Sequence, residues 1–345
     1  MTLSLSDLGW SNFFDRQRDD DTAAGLTPYR IAEIHRDRLT GFAPGGDHSL
    51  TTPPDTPTGS FAVGDWVLAD DTHRVVQLLE RQTLLTRRAA GHDARVQLIA
   101  ANVDTLFITT SCNADFNPAR IERYLAMAQD AGCFPVLLLT KPDLTDDAAE
   151  FERRAQAVNA MVPVLIVNAK DADDLARIAD WCKPGQTAAL IGSSGVGKST
   201  IMNGLTGEDI ATQAVREDDA KGRHTTTFRA LRRMRNGGWL IDMPGMRELQ
   251  LHDAAEGIDS LFDDITALES DCRFADCAHD REPGCAVRAA VASGQLDPAR
   301  LERWNKLRRE DAHNSATLAQ ARARDKGFTK MIKSVVRDQK GRKGR

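Results

Sequence analysis

Residues 190–200 read LIGSSGVGKST, and the spacing Gly192-x4-Gly197-Lys198-Ser199 is that of a phosphate-gripping loop. Its glycines let successive backbone N–H groups turn toward one point. The positive end of the following helix adds to their pull on phosphate oxygens. Lys198 would reach the β- and γ-phosphates and the Ser199 hydroxyl would hold Mg²⁺. The stretch Gly192, Ser193, Ser194, Gly195, Val196, Gly197, Lys198, Ser199, Thr200 would form the cradle. An apolar strand (AALI) precedes the loop and a helical segment (STIMNGL) follows, which is the setting this chemistry needs.

The base would be read by a second element. Residues 140–143, TKPD, close the apolar run FPVLLLT and match the pattern Asn/Thr-Lys-x-Asp. Asp143 would accept two hydrogen bonds, from guanine N1–H and from the exocyclic amine. Adenine has no donor at that ring nitrogen and would leave the acid unpaired. Lys141 would lay its aliphatic stem along the base, and Pro142 belongs to the same turn. Thr140 stands where an asparagine is commoner, so a hydroxyl would brace one neighbour where an amide braces two. In VNAK at 167–170, Asn168 and Ala169 would offer backbone to guanine O6. Both turns follow strands, and open α/β sheets bind ligands at the carboxyl ends of their strands.

A third element is WLIDMPGM at 239–246. Asp242 would be an outer partner of Mg²⁺ and Gly245 the sensor of the γ-phosphate. GRHTTTF at 222–228 sits where a threonine would cap the metal; Thr225, Thr226 and Thr227 all qualify, with Thr226 the working candidate. A run of threonines is also ordinary strand chemistry. Met246 stands where many GTPases hold a glutamine that orients water. An apolar side chain cannot do that, so slow unaided turnover is expected, with His224 the nearest candidate for the missing role.

Separately, DCRFADCAHDREPGC at 271–285 carries Cys272, Cys277, His279 and Cys285 in a C-x4-C-x-H-x5-C pattern. One compact loop could fold these four around a tetrahedral Zn²⁺, and a closed set of four ligands implies a structural metal. Cys112, Cys133 and Cys182 lie in or beside apolar segments and read as packing residues.

Positioning these groups requires a parallel sheet. From Val103 onward, continuous apolar runs (VDTLFITTS, FPVLLLT, VPVLIVN, TAALIGS) alternate with helix-period segments, the pattern of strands covered by helices on both faces. The order is unusual: base-reading turn first, then phosphate loop, then switches. It is the order of a GTPase sheet whose chain has been cut after the second switch and rejoined near 181–187, a permutation made easy when termini lie close together. The second switch then leads directly into the C-terminal region, so loss of the γ-phosphate could move that region without a relay.

Outside this α/β domain, assigned to 101–250, short strands separated by turn signals over 30–100 suggest a small β-barrel, with a sandwich as the alternative. Residues 1–29, with DDD at 19–21, read as a loosely ordered arm. Residues 251–320 read as a helical metal-binding domain, including an amphipathic helix at 296–310 with Asp297 as its cap and Pro298 in its first turn. The tail 321–345 holds ten Lys/Arg against two Asp/Glu on a chain of net charge −5. It is either a solvated terminus or a phosphate-backbone contact whose strength falls with salt. Arg81, Arg87 and Arg88 are candidate phosphate contacts on the barrel. The longest apolar runs are strand-sized and MTLSLSDLGW lacks the features of a signal peptide, so a cytoplasmic monomer with no membrane contact is expected.

The barrel, the permuted order, GRHTTT and the C-x4-C-x-H-x5-C knuckle together resemble the ribosome-small-subunit-dependent GTPase A family (RsgA, also called YjeQ), from about Arg30 to the helix near 310. QLIAANVD at 97–104 is similar to that family's linker. The resemblance implies an OB-fold barrel, a zinc site, slow GTP hydrolysis to GDP stimulated by the small (30S) ribosomal subunit and its rRNA, and a late role in that subunit's maturation. Thr140, Met243 and Asn168 depart from the family's commoner Asn, Thr and Ser. Two other readings stand beside this one. A nucleic-acid- or partner-binding module gated by GTP, with negligible turnover, is kept open by Met246 and Thr140. A metabolic phosphate-loop kinase is disfavoured by TKPD and by the lack of an acceptor-substrate domain.

Overall fold

Turn-separated segments at the start of the chain pair into one antiparallel sheet. After the single-turn helix α1 (Asn12–Asp15) come β1 (Thr27–Ile34), β2 (Leu39–Ala43), β3 (Gly46–Leu50), β4 (Trp66–Ala69) and β5 (Val75–Leu78), in the spatial order β3-β2-β1-β4-β5. The two edges then meet. Thr51 N–H donates to the His73 carbonyl at 3.0 Å, and Val75 N–H donates to the Thr51 carbonyl at 2.9 Å. This closes the sheet into the five-stranded, OB-like barrel expected, filled by Tyr29, Ile31, Leu39, Leu50, Phe61, Val67 and Val75. The computed structural model describes residues 3–18, 25–88, 96–208, 229–243 and 254–316. Contacts divide the chain into two units, Met1–Thr86 with Leu98–Glu248, and Arg87–Gln97 with Leu249–Arg345.

Alternation along β1 predicts that Arg30 and Ala32 face away from the barrel interior, yet both are buried. The Arg30 guanidinium donates to the Leu8 carbonyl and to the Thr187 hydroxyl, and lies 5.8 Å from the centre of the Trp66 ring. The arm expected to be loosely ordered is therefore packed over 3–18. Leu8 and Phe14 are buried, and Trp10 stands edge-on to Trp66 at 4.9 Å between centroids. The Asp7 carbonyl accepts from Trp239 Nε1 at 2.7 Å. Burying side chains of this size gives about 1.5–3 kcal/mol each, enough to order a short arm. The DDD run lies outside the described residues. Arg81 is likewise not a free phosphate contact. Its Nε and a terminal nitrogen each donate to the fully buried Asp65 carboxylate at 2.7 Å.

β6 (Leu84–Arg88) and β7 (Val96–Ala101) form a separate two-stranded sheet, across which Arg87 Nε donates to Gln97 Oε1 at 2.8 Å. The side chain of Arg88 lies outside the described residues. Beyond them the chain alternates as its apolar runs require: β8 (Thr105–Ser111), α2 (Pro118–Asp130), β9 (Phe134–Thr140), α3 (Ala148–Gln156), β10 (Val164–Val167), α4 (Ala172–Ala179), β11 (Thr187–Gly192) and α5 (Lys198–Thr206). Asn117, Asp147 and Asp171 cap α2, α3 and α4 by accepting from backbone N–H groups of the first turn. β12 (Leu231–Arg233) and β13 (Trp239–Ile241) complete a sheet of order β10-β9-β8-β11-β13-β12.

Five of the strands run parallel, as their apolar runs predict; β12, an edge strand that the sequence reading did not place, is antiparallel to β13. The cause is the short turn at 234–238, where Met234 N–H donates to the Gly238 carbonyl at 2.8 Å. A parallel pair needs a crossover of a dozen residues or more. The strand leading into the phosphate loop, β11, enters the sheet only after β8, β9 and β10, yet it sits centrally between β8 and β13. The turn at 180–186 carries the chain from α4 to it, which is where the permuted ends were expected to be rejoined.

In the second unit, α6 (Ala255–Leu261), α7 (Asp263–Glu269) and α8 (Ala286–Ala292) are followed by a helix described over 298–316. Asp297 accepts from Ala299 N–H at 3.0 Å just ahead of that helix, as its sequence signals. Trp304 and Leu307 mark the helix's buried face. Among the described residues no helix is long and apolar enough to cross a membrane.

Candidate nucleotide site and metal centre

Register brings the two loops together. Gly192 pairs with Thr109, Ser111 with Thr140, and Val167 with Thr140, so β8, β9, β10 and β11 end side by side. A Cβ on Gly192, whose φ is 149°, would stand 2.1 Å from the Thr109 carbonyl oxygen, so only glycine lets the loop leave the sheet here. Gly197, at φ 99°, precedes the first turn of α5, in which Lys198, Ser199 and Thr200 are half-buried. The Lys198 ammonium donates to the carbonyls of Gly192 (2.8 Å) and Ser193, which aims it across the mouth of the loop. Ser194 and Gly195 are exposed at the tip, and Val196 is buried beneath it.

The TKPD turn is bonded directly to this loop. Thr140 is buried, and its hydroxyl is within donating distance of the Val196 carbonyl at 2.6 Å and of the Thr110 carbonyl at 3.1 Å. It carries one proton for two acceptors, the limit foreseen for a threonine here. Lys141, in the left-handed region at φ 56°, donates from Nζ to the Gly195 carbonyl at 2.6 Å, so its stem lies against the loop. Pro142 and Asp143 begin the single 3₁₀ turn that follows. Asp143 is exposed and has no protein partner among the described residues, leaving both carboxylate oxygens available. Asn168 spends its side-chain oxygen on Lys170 N–H (3.1 Å), and its own N–H donates to Asp174 (2.8 Å). The turn carrying Asn168 and Ala169 is thereby fixed beside Thr140.

Asp242 follows β13, half-buried; burial raises its carboxyl pKa while Arg232 and Lys198 pull it down. Ser199 and Asp242 offer oxygens of the kind that Mg²⁺ and its waters take, a hard cation served by oxygen donors. His224, Thr225, Thr226, Thr227, Gly245 and Met246 lie outside the described residues, as does the tail 321–345. A groove of about 1000 Å³ opens at the opposite ends of the strands, lined by Thr105, Phe134, Trp181 and Gln186; no residue of the phosphate loop borders it.

In the second unit, Cys272, Cys277, His279 and Cys285 offer ligand atoms that all lie within 4.8 Å of one another. Cys272 Sγ is 3.9 Å from Cys285 Sγ, and His279 Nδ1 is 3.4 Å from Cys285 Sγ and 3.7 Å from Cys272 Sγ. A tetrahedron with metal–sulfur bonds of ~2.3 Å has edges of ~3.8 Å, so these separations fit one ion; a disulfide would need sulfurs ~2.05 Å apart. Cys112, Cys133 and Cys182 are buried and free, and burial pushes their thiols up to about 11, 12 and 12. They pack, as their sequence context indicated.

The profile of the family described as RsgA GTPase matches residues 78–252. A curated relative from Mesorhizobium japonicum, called small ribosomal subunit biogenesis GTPase RsgA, is 53% identical, with 90% of this chain and 91% of the relative covered. The chain belongs to the RsgA GTPase family. Another relative, small ribosomal subunit biogenesis GTPase RsgA 2 of Vibrio parahaemolyticus, is 44% identical across 98% of this chain and 94% of its own length. Among solved structures, YjeQ from Thermotoga maritima matches with a TM-score of 0.59 at 22% identity, covering 82% of this chain and 97% of that one. YloQ, described as a circularly permuted GTPase, matches at 0.56 and 23%, covering 87% and 96%. These two establish a shared fold, and with it the permuted order read from the motifs.

One residue beside the Cys/His cluster escaped sequence reasoning. Glu269 Oε1 accepts from His279 Nε2 at 3.0 Å and from Arg308 at 2.9 Å. It holds the imidazole so that Nδ1 faces the sulfurs, the outer contact that metal-binding histidines usually have. Its signal was a carboxylate one helical turn before Cys272, unremarkable in a chain this acidic.

Proposed function

We propose that this chain hydrolyses GTP to GDP on the small ribosomal subunit, in a late step of that subunit's maturation, with the subunit accelerating turnover. The observation that carries the reading is the bonding of Thr140 and Lys141 to the backbone of the phosphate loop, beside an Asp143 with no protein partner among the described residues. Guanine would dock on Asp143 and the stem of Lys141, the backbone of Asn168 and Ala169 would face O6, and residues 192–200 would hold the phosphates. The curated relatives' names supply the ribosomal partner.

Positioning and charge carry the chemistry of phosphoryl transfer. Lys198, already aimed by two carbonyls, would exchange part of its backbone bonding for β- and γ-phosphate oxygens. Ser199 and Asp242 would hold Mg²⁺, which when bound offsets charge developing between those phosphates. Gly245 would sense the γ-phosphate and Thr226 would cap the metal. Met246 cannot orient water, so unaided turnover is slow, and His224 takes that role on the subunit. Zn²⁺ is the ion proposed for the three cysteines and His279, because thiolate and imidazole in a closed tetrahedron suit it. The barrel, metal domain and basic tail would contact rRNA; the protein acts as a cytoplasmic monomer. The proposed domains are 30–100, 101–250 and 251–320.

Co-sedimentation with small subunits tests this reading. The protein should pellet with subunits when loaded with a non-hydrolysable GTP analogue and stay in solution with GDP or an ATP analogue. Equal pelleting in all three states would refute nucleotide-gated binding.

A further inference from the structure

A carboxylate that belongs to none of the recognised motifs touches the phosphate loop. Ser193 Oγ donates to Asp115 Oδ2 at 2.6 Å, and Asp115 lies in the connection between β8 and α2. That connection is firmly built. Arg120, in the first turn of α2, pairs with Asp115 at 2.8 Å. The Asn113 side chain accepts from Ser111 Oγ and from Asp115 N–H, both at 2.9 Å. Phe116 is buried edge-on against Phe151 of α3, with the Arg154 guanidinium 4.6 Å from its ring centre. Two helices and a turn thus aim one acid at one loop hydroxyl.

The Ser193 carbonyl in turn accepts from the Lys198 ammonium, as the Gly192 carbonyl does. We propose that Asp115 is a positioning residue of the nucleotide site: by fixing Ser193 it keeps Lys198 aimed at the place where the β- and γ-phosphates arrive. Arg120 offsets the carboxylate's charge, so the acid grips the loop without repelling the phosphates. Charge-assisted bonds of this kind are stronger than neutral ones, and geometry held in advance lowers what binding must spend on ordering. This inference rests on the proposed GTP site, and its test separates the two.

The experiment titrates GTP and GDP against the wild type, Asp115→Ala, Ser193→Ala, the double variant and Asp115→Asn, with thermal unfolding of each nucleotide-free protein alongside. Removing one partner of a hydrogen bond to a charged group should weaken both nucleotides by about tenfold or more. The double variant should be no worse than the weaker single, because both changes break one bond. Asp115→Asn retains an acceptor oxygen and should restore most of the affinity. Unchanged affinities, with or without a lower unfolding temperature, would overturn the proposal, as would losses that multiply in the double variant. Failure of the wild type to bind GTP would instead overturn the site itself.

Discussion

At the scale of single residues, the site depends on how many protons each side chain can give. Thr140 has one, and the Val196 carbonyl at 2.6 Å is its nearer acceptor. Thr140→Val keeps the shape and removes the donor, leaving that buried carbonyl unpaired. A loss of about 1–2 kcal/mol is expected, read as GTP binding about 5- to 30-fold weaker by fluorescence titration; unchanged affinity would show that the loop needs no brace. Asp143→Ala should weaken GTP by about a hundredfold or more while ATP affinity stays where it was, because only guanine supplies the two donors. A parallel loss of both nucleotides would mean that the turn is structural and reads no base. Glu269→Ala releases the His279 ring and should lower metal affinity by about 10–100-fold in competition with a chromophoric chelator. These roles differ in how visible they were. Gly192, Lys198 and Asp143 announce themselves by spacing, since their chemistry is local. Glu269 and Asp115 act on neighbours that only folding brings close, and a lone acid gives no sign of that.

At the scale of elements, buried runs and caps were legible because each is decided within a few residues. Strands β8 and β11 are buried along their length, as uninterrupted apolar sequence requires, and Asn117, Asp147 and Asp171 start their helices by local bonds. The arm was misread because partners distant in sequence decide it. Leu8, Trp10 and Phe14 become ordered against Trp66 and Arg30. Arg81 illustrates the same limit. On sequence it is one surface arginine among many, whereas its partner Asp65 has no exposed surface, and burial raises that carboxyl's pKa even against the pull of Arg81. Arg81→Ala strands the acid and should destabilise the protein by about 3–5 kcal/mol in denaturant titration. The Arg81→Ala/Asp65→Ala double variant should recover part of that loss. A cost of less than about 1 kcal/mol for the single change would place the pair among ordinary surface bridges.

At the scale of the whole molecule, the permuted order is what the late position of the phosphate loop encodes. Sheet order restores β11 to the centre, so the proposed nucleotide site draws on residues 140–143, 168–169 and 192–200 although the chain meets the phosphate loop after the base-reading turns, a cyclic shift of the usual order. By chain continuity the segment after Asp242 leads on to the helices that flank the Cys/His cluster, which would give γ-phosphate loss a short covalent route to them. Turnover without a ribosomal partner should be slow, since Met246 cannot position water. The most direct measurement is GTP hydrolysis by the purified protein with and without small ribosomal subunits, at low and at moderate salt. The account predicts a rise of at least about tenfold on adding subunits, shrinking as salt screens contacts to the rRNA backbone. Tight GTP binding with no rise at either salt would contradict a subunit-activated hydrolase and leave a binding module gated by GTP.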